Sequence, residues 1–143
     1  MILADANIWI YLMDRRVPEH ALAMERVPPR FEGEEILMPA LVELEVLHYA
    51  RRRMGAQADE AFEEFVQFPA TMRPLDHMAV SMAAGFLKQL PASPIGGRDA
   101  ALLHYARTSK ARLFTHDGPL LRAAAVLEIP AEDPLAAPAA DRV

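Results

Sequence analysis

Four acidic side chains, Asp5, Glu43, Asp99 and Asp117, each stand where a short apolar run meets a helix-forming one. Clustered carboxylates repel one another, and a divalent cation relieves that repulsion. Mg2+ and Mn2+ favour hard oxygen ligands of this type. With most of the coordination left to water and a substrate phosphate, such a site suits phosphodiester hydrolysis, because the metal activates water and neutralises the phosphate. Asn7 and Thr115 flank the acids and are placed to hydrogen-bond them or the attacking water. Each residue also has a structural reading. Asp is a preferred N-cap and an acid in a first turn suits the helix dipole, which covers Asp117 before Gly118-Pro119 and Asp5 before Ala6-Asn7. Asn7 reads equally as a turn residue and Thr115 as a strand residue. The conjunction favours chemistry: four acids at one edge, with no Lys or Arg evidently placed between them.

That convergence depends on the elements carrying the acids. Residues 2–5, 36–38, 72–74 and 112–115 read as short strands, with a weak fifth near 127–129. Between them, residues 7–14, 18–26, 41–53, 56–68, 76–90, 98–109 and 119–126 read as helices. Alternating strands and helices predict an α/β domain with a mostly parallel sheet covered on both faces, whose sites lie outside the carboxyl ends of the strands. Asp5 ends the first strand and Asp117 follows the fourth. Glu43 lies one turn into the helix after the second. Asp99 opens a helix that runs antiparallel to the fourth strand, so it starts near the same edge. Helix phase adds that Glu43 heads a stripe with Val46, Leu47 and Ala50, and Asp99 one with Leu102, Leu103 and Ala106. Glu45 falls on a face with His48, Tyr49 and Arg52, which reads as solvent-facing. Met78, Met82, Phe86 and Leu90, four apart, read as a core stripe.

The chain has 143 residues, 52% hydrophobic and 24% charged, the profile of one globular domain. It contains no cysteine, which excludes disulfides, thiolate zinc sites and cysteine nucleophiles. The five histidines show no paired metal spacing. No run reaches the length of a membrane span and no basic, apolar leader opens the chain, so a cytoplasmic protein is the expectation. The net charge of −5 opposes general nucleic-acid binding. If four of the 20 acids form a metal site, however, the rest nearly balance the 15 Lys and Arg residues. Arg51, Arg52 and Arg53 are a local basic run, either a solvated helix end or a contact for RNA phosphates. Residues 129–143, rich in Pro and Ala, read as a loose tail after a domain spanning residues 1–128.

Leu3-Ala4-Asp5-Ala6-Asn7-Ile8-Trp9-Ile10 resembles the opening strand-to-helix motif of PIN domains. Met38-Pro39-Ala40-Leu41-Val42-Glu43-Leu44 resembles their second block, Gly97-Arg98-Asp99-Ala100-Ala101-Leu102 the third and Leu113-Phe114-Thr115-His116-Asp117-Gly118-Pro119-Leu120 the fourth. The four blocks stand in the family's order over nearly the whole chain. The resemblance implies a three-layer α/β/α domain with a central parallel sheet of four or five short strands. It also implies Mg2+- or Mn2+-dependent cleavage of single-stranded RNA, with Asp5, Glu43, Asp99 and Asp117 as the acidic cluster. The short chain is most similar to the VapC-type toxins, which implies a homodimer and a VapB-like antitoxin that places an Arg in the acidic pocket. Gly96-Gly97-Arg98 and His116 depart from the common pattern without removing an acid.

Other readings are weaker. A dehalogenase-like phosphatase wants a second Asp where Asn7 stands, and a phosphoacceptor receiver domain wants an acidic pair and a late Lys. A non-catalytic PIN scaffold usually lacks an acid. A PIN nuclease outside a toxin–antitoxin pair stays open.

Overall fold

Ile2–Ala4 (β1) is buried at all three positions and Ile36–Pro39 (β2) at all four, as strands covered on both faces must be. A computed structural model of the chain describes residues 1–137. Its other strands are Thr71–Arg73 (β3), Arg112–Phe114 (β4) and Ala131–Glu132 (β5). All pairings are parallel, in the order β3-β2-β1-β4-β5. Leu3 pairs with Leu37 on one side and Leu113 on the other, so Ala4, Pro39 and Phe114 end at one edge. From β1 the chain winds outward through β2 and β3, then returns to lay β4 on the other side of β1. The gap beyond β1 and β4 is therefore the topological switch point, where ligands of open α/β sheets bind.

Eight α-helices connect the strands among the described residues: α1 (Ala6–Met13), α2 (His20–Arg26), α3 (Pro28–Phe31), α4 (Ala40–Arg53), α5 (Ala58–Val66), α6 (His77–Gln89), α7 (Gly97–Thr108) and α8 (Gly118–Val126). Helix α1 packs on α2 and α4, and α4 on α5, while α6 packs on α7. Right-handed crossovers put the two groups on opposite faces of the sheet, which completes the three layers. Trp9 joins the first layer to the sheet. Its indole N–H donates to the Ala4 carbonyl at 3.2 Å, and its ring meets Phe31, Phe65 and Phe68 at centroid distances of 5.6, 5.4 and 4.9 Å. Every residue of α7 from Ala100 to Ala106 is buried, the mark of a helix enclosed on all sides. No helix among the described residues is long and apolar enough to cross a membrane.

Three sequence expectations are corrected. The fifth strand lies at Ala131–Glu132, not at 127–129. Helix α8 ends in a Schellman turn, with Ile129 N–H donating to the Ala124 carbonyl and Glu128 N–H to that of Ala125. Glu128 takes φ 56° there, and residues 127–129 are spent on the reversal. Lys110, at φ 53°, closes α7 in the same way before β4. The segment from 129 is accordingly not loose: Ile129 and Leu135 are buried, and β5 completes the sheet. The end of the proposed tail, residues 138–143, lies outside the described residues. Helix α3 occupies a segment where the sequence suggested no element; its prolines sit in the first turn, where no N–H is needed.

The Met78–Met82–Phe86–Leu90 stripe is only half core. Phe86 and Leu90 are buried, but Met78 is 71% exposed and Met82 46%. Ala79, Ala83 and Phe86 form the buried face of α6 instead, because small side chains let α6 lie close on α7. Phe86→Ala is expected to cost about 3–5 kcal/mol in urea unfolding. Met78→Ala should change stability by no more than about 0.5 kcal/mol. Comparable losses in both variants would refute this assignment of the face.

Candidate active site

Asp5 is the first residue beyond β1 and is 2% exposed. A carboxylate so buried needs donors at both oxygens. One oxygen accepts the Ala6 N–H at 2.7 Å and a guanidinium N–H of Arg98; the other accepts the Thr115 hydroxyl at 2.7 Å. Thr115, fully buried just beyond β4, has only one hydroxyl proton, which goes to Asp5. Its lone pairs receive the Asp117 N–H at 3.1 Å and, more distantly, the Asn7 amide at 3.5 Å. The Asn7 carbonyl oxygen takes the His116 N–H at 3.4 Å. Asp5, Asn7, Thr115 and Asp117 thus form one hydrogen-bonded strip across the switch point. Asp5 and Asp117 also serve as caps of α1 and α8, Asp117 accepting from Leu120 N–H at 3.0 Å. The capping and clustering readings hold together for these two residues.

Asp99 reaches the same place from the first turn of α7, whose N-cap is Gly96 with no side-chain bond, so here the acid is not a cap. Burial raises its carboxyl pKa above the ordinary range. The adjacent Arg98 lowers it, but the charges of Asp5 and Asp117 raise it further. Like charges close enough to act on one another are the electrostatic signature of convergence.

Glu43 does not join this group. Among the described residues no hydrogen bond or ion pair links it to the other acids. Glu45 is the glutamate that reaches them, through an ion pair with Arg98. The reason is helix phase. The buried stripe of α4 is Val42, Val46 and Ala50, and Glu43 and Glu45 lie on opposite shoulders of it, about 200° apart at 100° per residue. A stripe headed by Glu43 and one headed by Val42 are equally regular in the sequence, and neither tells which shoulder meets the sheet edge. Glu45 is therefore a candidate residue that sequence reasoning missed, and its face is not simply solvent.

Arg98 is the second. The sequence suggested no cation between the acids, yet its guanidinium bonds Asp5, Glu45 and Asp99, the last at 2.7 Å. Burial opposes its charge, but the pull of Asp5 and Glu45 and hydrogen bonds to both hold its pKa above the ordinary value. No group of three or more His, Asp or Glu among the described residues is placed to hold a metal as it stands. The donor chemistry nonetheless fits one. The set is all carboxylate oxygen, suited to Mg2+ or Mn2+, and three of its members already converge on one cationic centre.

The basic run lies alongside. Arg51, Arg52 and Arg53 are exposed at the end of α4. Arg52 and Arg53, with Ile10, Glu45, His48 and Tyr49, line a cavity of about 650 Å³. Tyr49 is held there by donating its hydroxyl to the buried Asp14 at 2.8 Å.

A family model described as PIN domain matches residues 2–126. No curated protein matches the sequence. Among solved structures, the chain is similar to VapC20 of Mycobacterium tuberculosis, described as a sarcin-ricin loop cleaving toxin. The TM-score is 0.72 and the identity 16%, covering 86% of this chain and 95% of that one. It is also similar to VapBC2 of Rickettsia felis bound to a promoter DNA fragment, with TM-score 0.70, identity 14% and coverage of 93% and 98%. For FitAcB of Neisseria gonorrhoeae the TM-score is 0.70, the identity 14% and the coverage 94% and 98%. At such identities the likeness is one of fold.

The raised pKa of Asp99 has a stability consequence. Its ionised form costs stability as pH rises above the unfolded value of about 3.9. Asp99→Asn should therefore raise the melting temperature of the metal-free protein at pH 7. The gain should vanish near pH 3, where the native carboxyl is protonated in both states. Melts across that range check it; a gain independent of pH would remove the ionisation of Asp99, disfavoured first by burial and then by the charges of Asp5 and Asp117, as its cause.

Proposed function

The chain belongs to the PIN domain family, and from that premise we propose that it is a toxin nuclease, a Mg2+- or Mn2+-dependent endoribonuclease acting on single-stranded RNA. The observation that carries this reading is the gathering of Asp5, Glu45 and Asp99 around a single cation at the switch point. Asp117 lies close enough for its charge to act on Asp99. In this proposal Glu45 takes the role that the sequence assigned to Glu43. Asp5, Glu45, Asp99 and Asp117 would hold the metal, which when bound neutralises the scissile phosphate and makes water a better nucleophile.

The chain's own residues do the positioning. Thr115 fixes one oxygen of Asp5 and, through the Asp117 N–H, the loop that carries Asp117. Asn7 ties that loop to α1. The acids thus need little rearrangement as charge develops on the phosphate. Arg52 and Arg53 would take backbone phosphates in the cavity next to Glu45, with Tyr49 and His48 offering ring faces to an unpaired base. Arg51, on the same turn, adds to the field.

An antitoxin of the VapB kind is the proposed partner, supported by structural neighbours that are toxin–antitoxin complexes. An apolar groove of about 440 Å³ walled by Trp9, Leu12, Met13, Met24, Phe31 and Phe68 fits the apolar face of a partner helix. Exposed Leu75, Val80 and Met82 support a homodimer.

Cleavage of a mixed cellular RNA pool in Mg2+, Mn2+ or EDTA tests the chemistry. The wild type should cut only with metal. Asp5→Asn and Glu45→Gln should lose about two orders of magnitude or more, and Glu43→Gln should stay within about twofold. Metal-independent cutting, or a larger loss in Glu43→Gln than in Glu45→Gln, would refute the assignment. For binding, Arg52→Glu with Arg53→Glu should weaken RNA affinity and flatten the log–log salt slope by about 0.7 for each phosphate no longer neutralised. An unchanged slope would place RNA elsewhere.

A further inference from the structure

We infer that Arg98 is a tethered counter-ion that closes the acidic site in the metal-free protein and must be displaced for a divalent cation to enter. The inference rests on the reading of these acids as metal ligands and adds a built-in control of their occupancy.

Two features of its position oppose the charge of Arg98. It stands in the first turn of α7, where the helix dipole disfavours a positive charge. Its side chain is about two-thirds buried, at a desolvation cost to the guanidinium. What offsets both is the set of three carboxylates, Asp5, Glu45 and Asp99, drawn from three separate elements. With Asp117 nearby, one positive charge meets four negative ones, so the cluster keeps an excess that a dication neutralises better than a guanidinium can. Arg98 gains its advantage from tethering, the ion from its charge.

The side chain is also free to leave. It is 35% exposed, so release does not require the core to open. Gly96 and Gly97 precede it, with open space around both. Arg98 lines a second cavity, of about 430 Å³, walled by Leu41, Leu75, Val80, Leu87 and Ala101. The aliphatic stem can lie against that wall with the charged end in water. Each of the three carboxylates turns an oxygen to Arg98.

If Arg98 occupies the site nine-tenths of the time, it weakens the apparent metal affinity about tenfold. Titration calorimetry with Mn2+ compares wild type, Arg98→Gln and Arg98→Lys, each with and without Asp5→Asn. Arg98→Gln should bind Mn2+ about tenfold more tightly than wild type, and melt lower than wild type without metal. Arg98→Lys, whose ammonium cannot bridge three carboxylates as a planar fork does, should fall between. Asp5→Asn should abolish the tight binding in each. In the wild type, Mg2+ should also move the Arg98 Nε–H resonance to the position of exposed arginines, a readout that needs no variant to fold. Equal affinities in wild type and Arg98→Gln, lost in Asp5→Asn, would overturn the role of Arg98 and leave the metal site standing. A bound metal with an unmoved Arg98 resonance would do the same. Absence of Mn2+ binding in both wild type and Arg98→Gln would overturn the metal site and this inference together.

Discussion

The carboxylate of Asp5 is buried at the centre of the sheet's carboxyl edge, and a negative charge in that position has to be compensated from every direction. Much of the local structure follows from this. The first turn of α1 presents the Ala6 N–H, β4 must run beside β1 so that Thr115 can present its hydroxyl, and α7 must start at the same edge so that Arg98 can arrive. Each partner is then constrained in turn. Thr115 spends its only proton on Asp5 and so must accept from Asp117 and Asn7, which sets the loop between β4 and α8. One buried charge therefore fixes the start of α1 against α7 and β4, whose partner residues lie 93 and 110 positions away.

The requirement also bears on how a chain of net charge −5 could carry the proposed nucleic-acid site. Negative charge concentrated at the edge is offset only in part, by Arg98. The exposed arginines at the end of α4 stand to one side, where they do not neutralise Asp5 or Asp99. A field of mixed sign over a short distance suits a phosphodiester backbone, which needs cations along its length and a metal at one phosphate.

The fold was largely legible in the sequence because its signals are local. Ile2 to Ala4 and Ile36 to Met38 are uninterrupted apolar runs, Asp76 and Asp117 are caps, and α7 shows two leucines and several alanines inside one helical span. The convergence of Asp5, Asp99 and Asp117 was legible for the same reason: each sits at the end of a recognisable element, and bringing them to one edge needs no knowledge of side-chain direction. What failed were decisions of phase and of distant partnership. Glu43 and Glu45 differ only in which shoulder of α4 faces the sheet edge, and that depends on where the Val42–Val46–Ala50 stripe settles. Met78 and Met82 share a period with Phe86, yet the alanines beside them made the better contact. The fifth strand was shifted by a Schellman turn built on Glu128, where no glycine announces one.

Arg98 was the least legible residue of all. In sequence it is a basic side chain next to an acid at a helix start, an ordinary local pair. Its meaning comes from Asp5, 93 positions away, and Glu45, 53 positions away. Here the two kinds of information complement each other. The order of the acid-bearing blocks points to the kind of chemistry, while the tertiary structure supplies the counter-charge that makes such a cluster tolerable in a folded chain without metal. Four converging carboxylates with nothing between them would work against their own fold. A cation carried by the chain resolves that conflict, and because it is a single charge on a flexible stem, it does so without making the site permanently inaccessible to a stronger one.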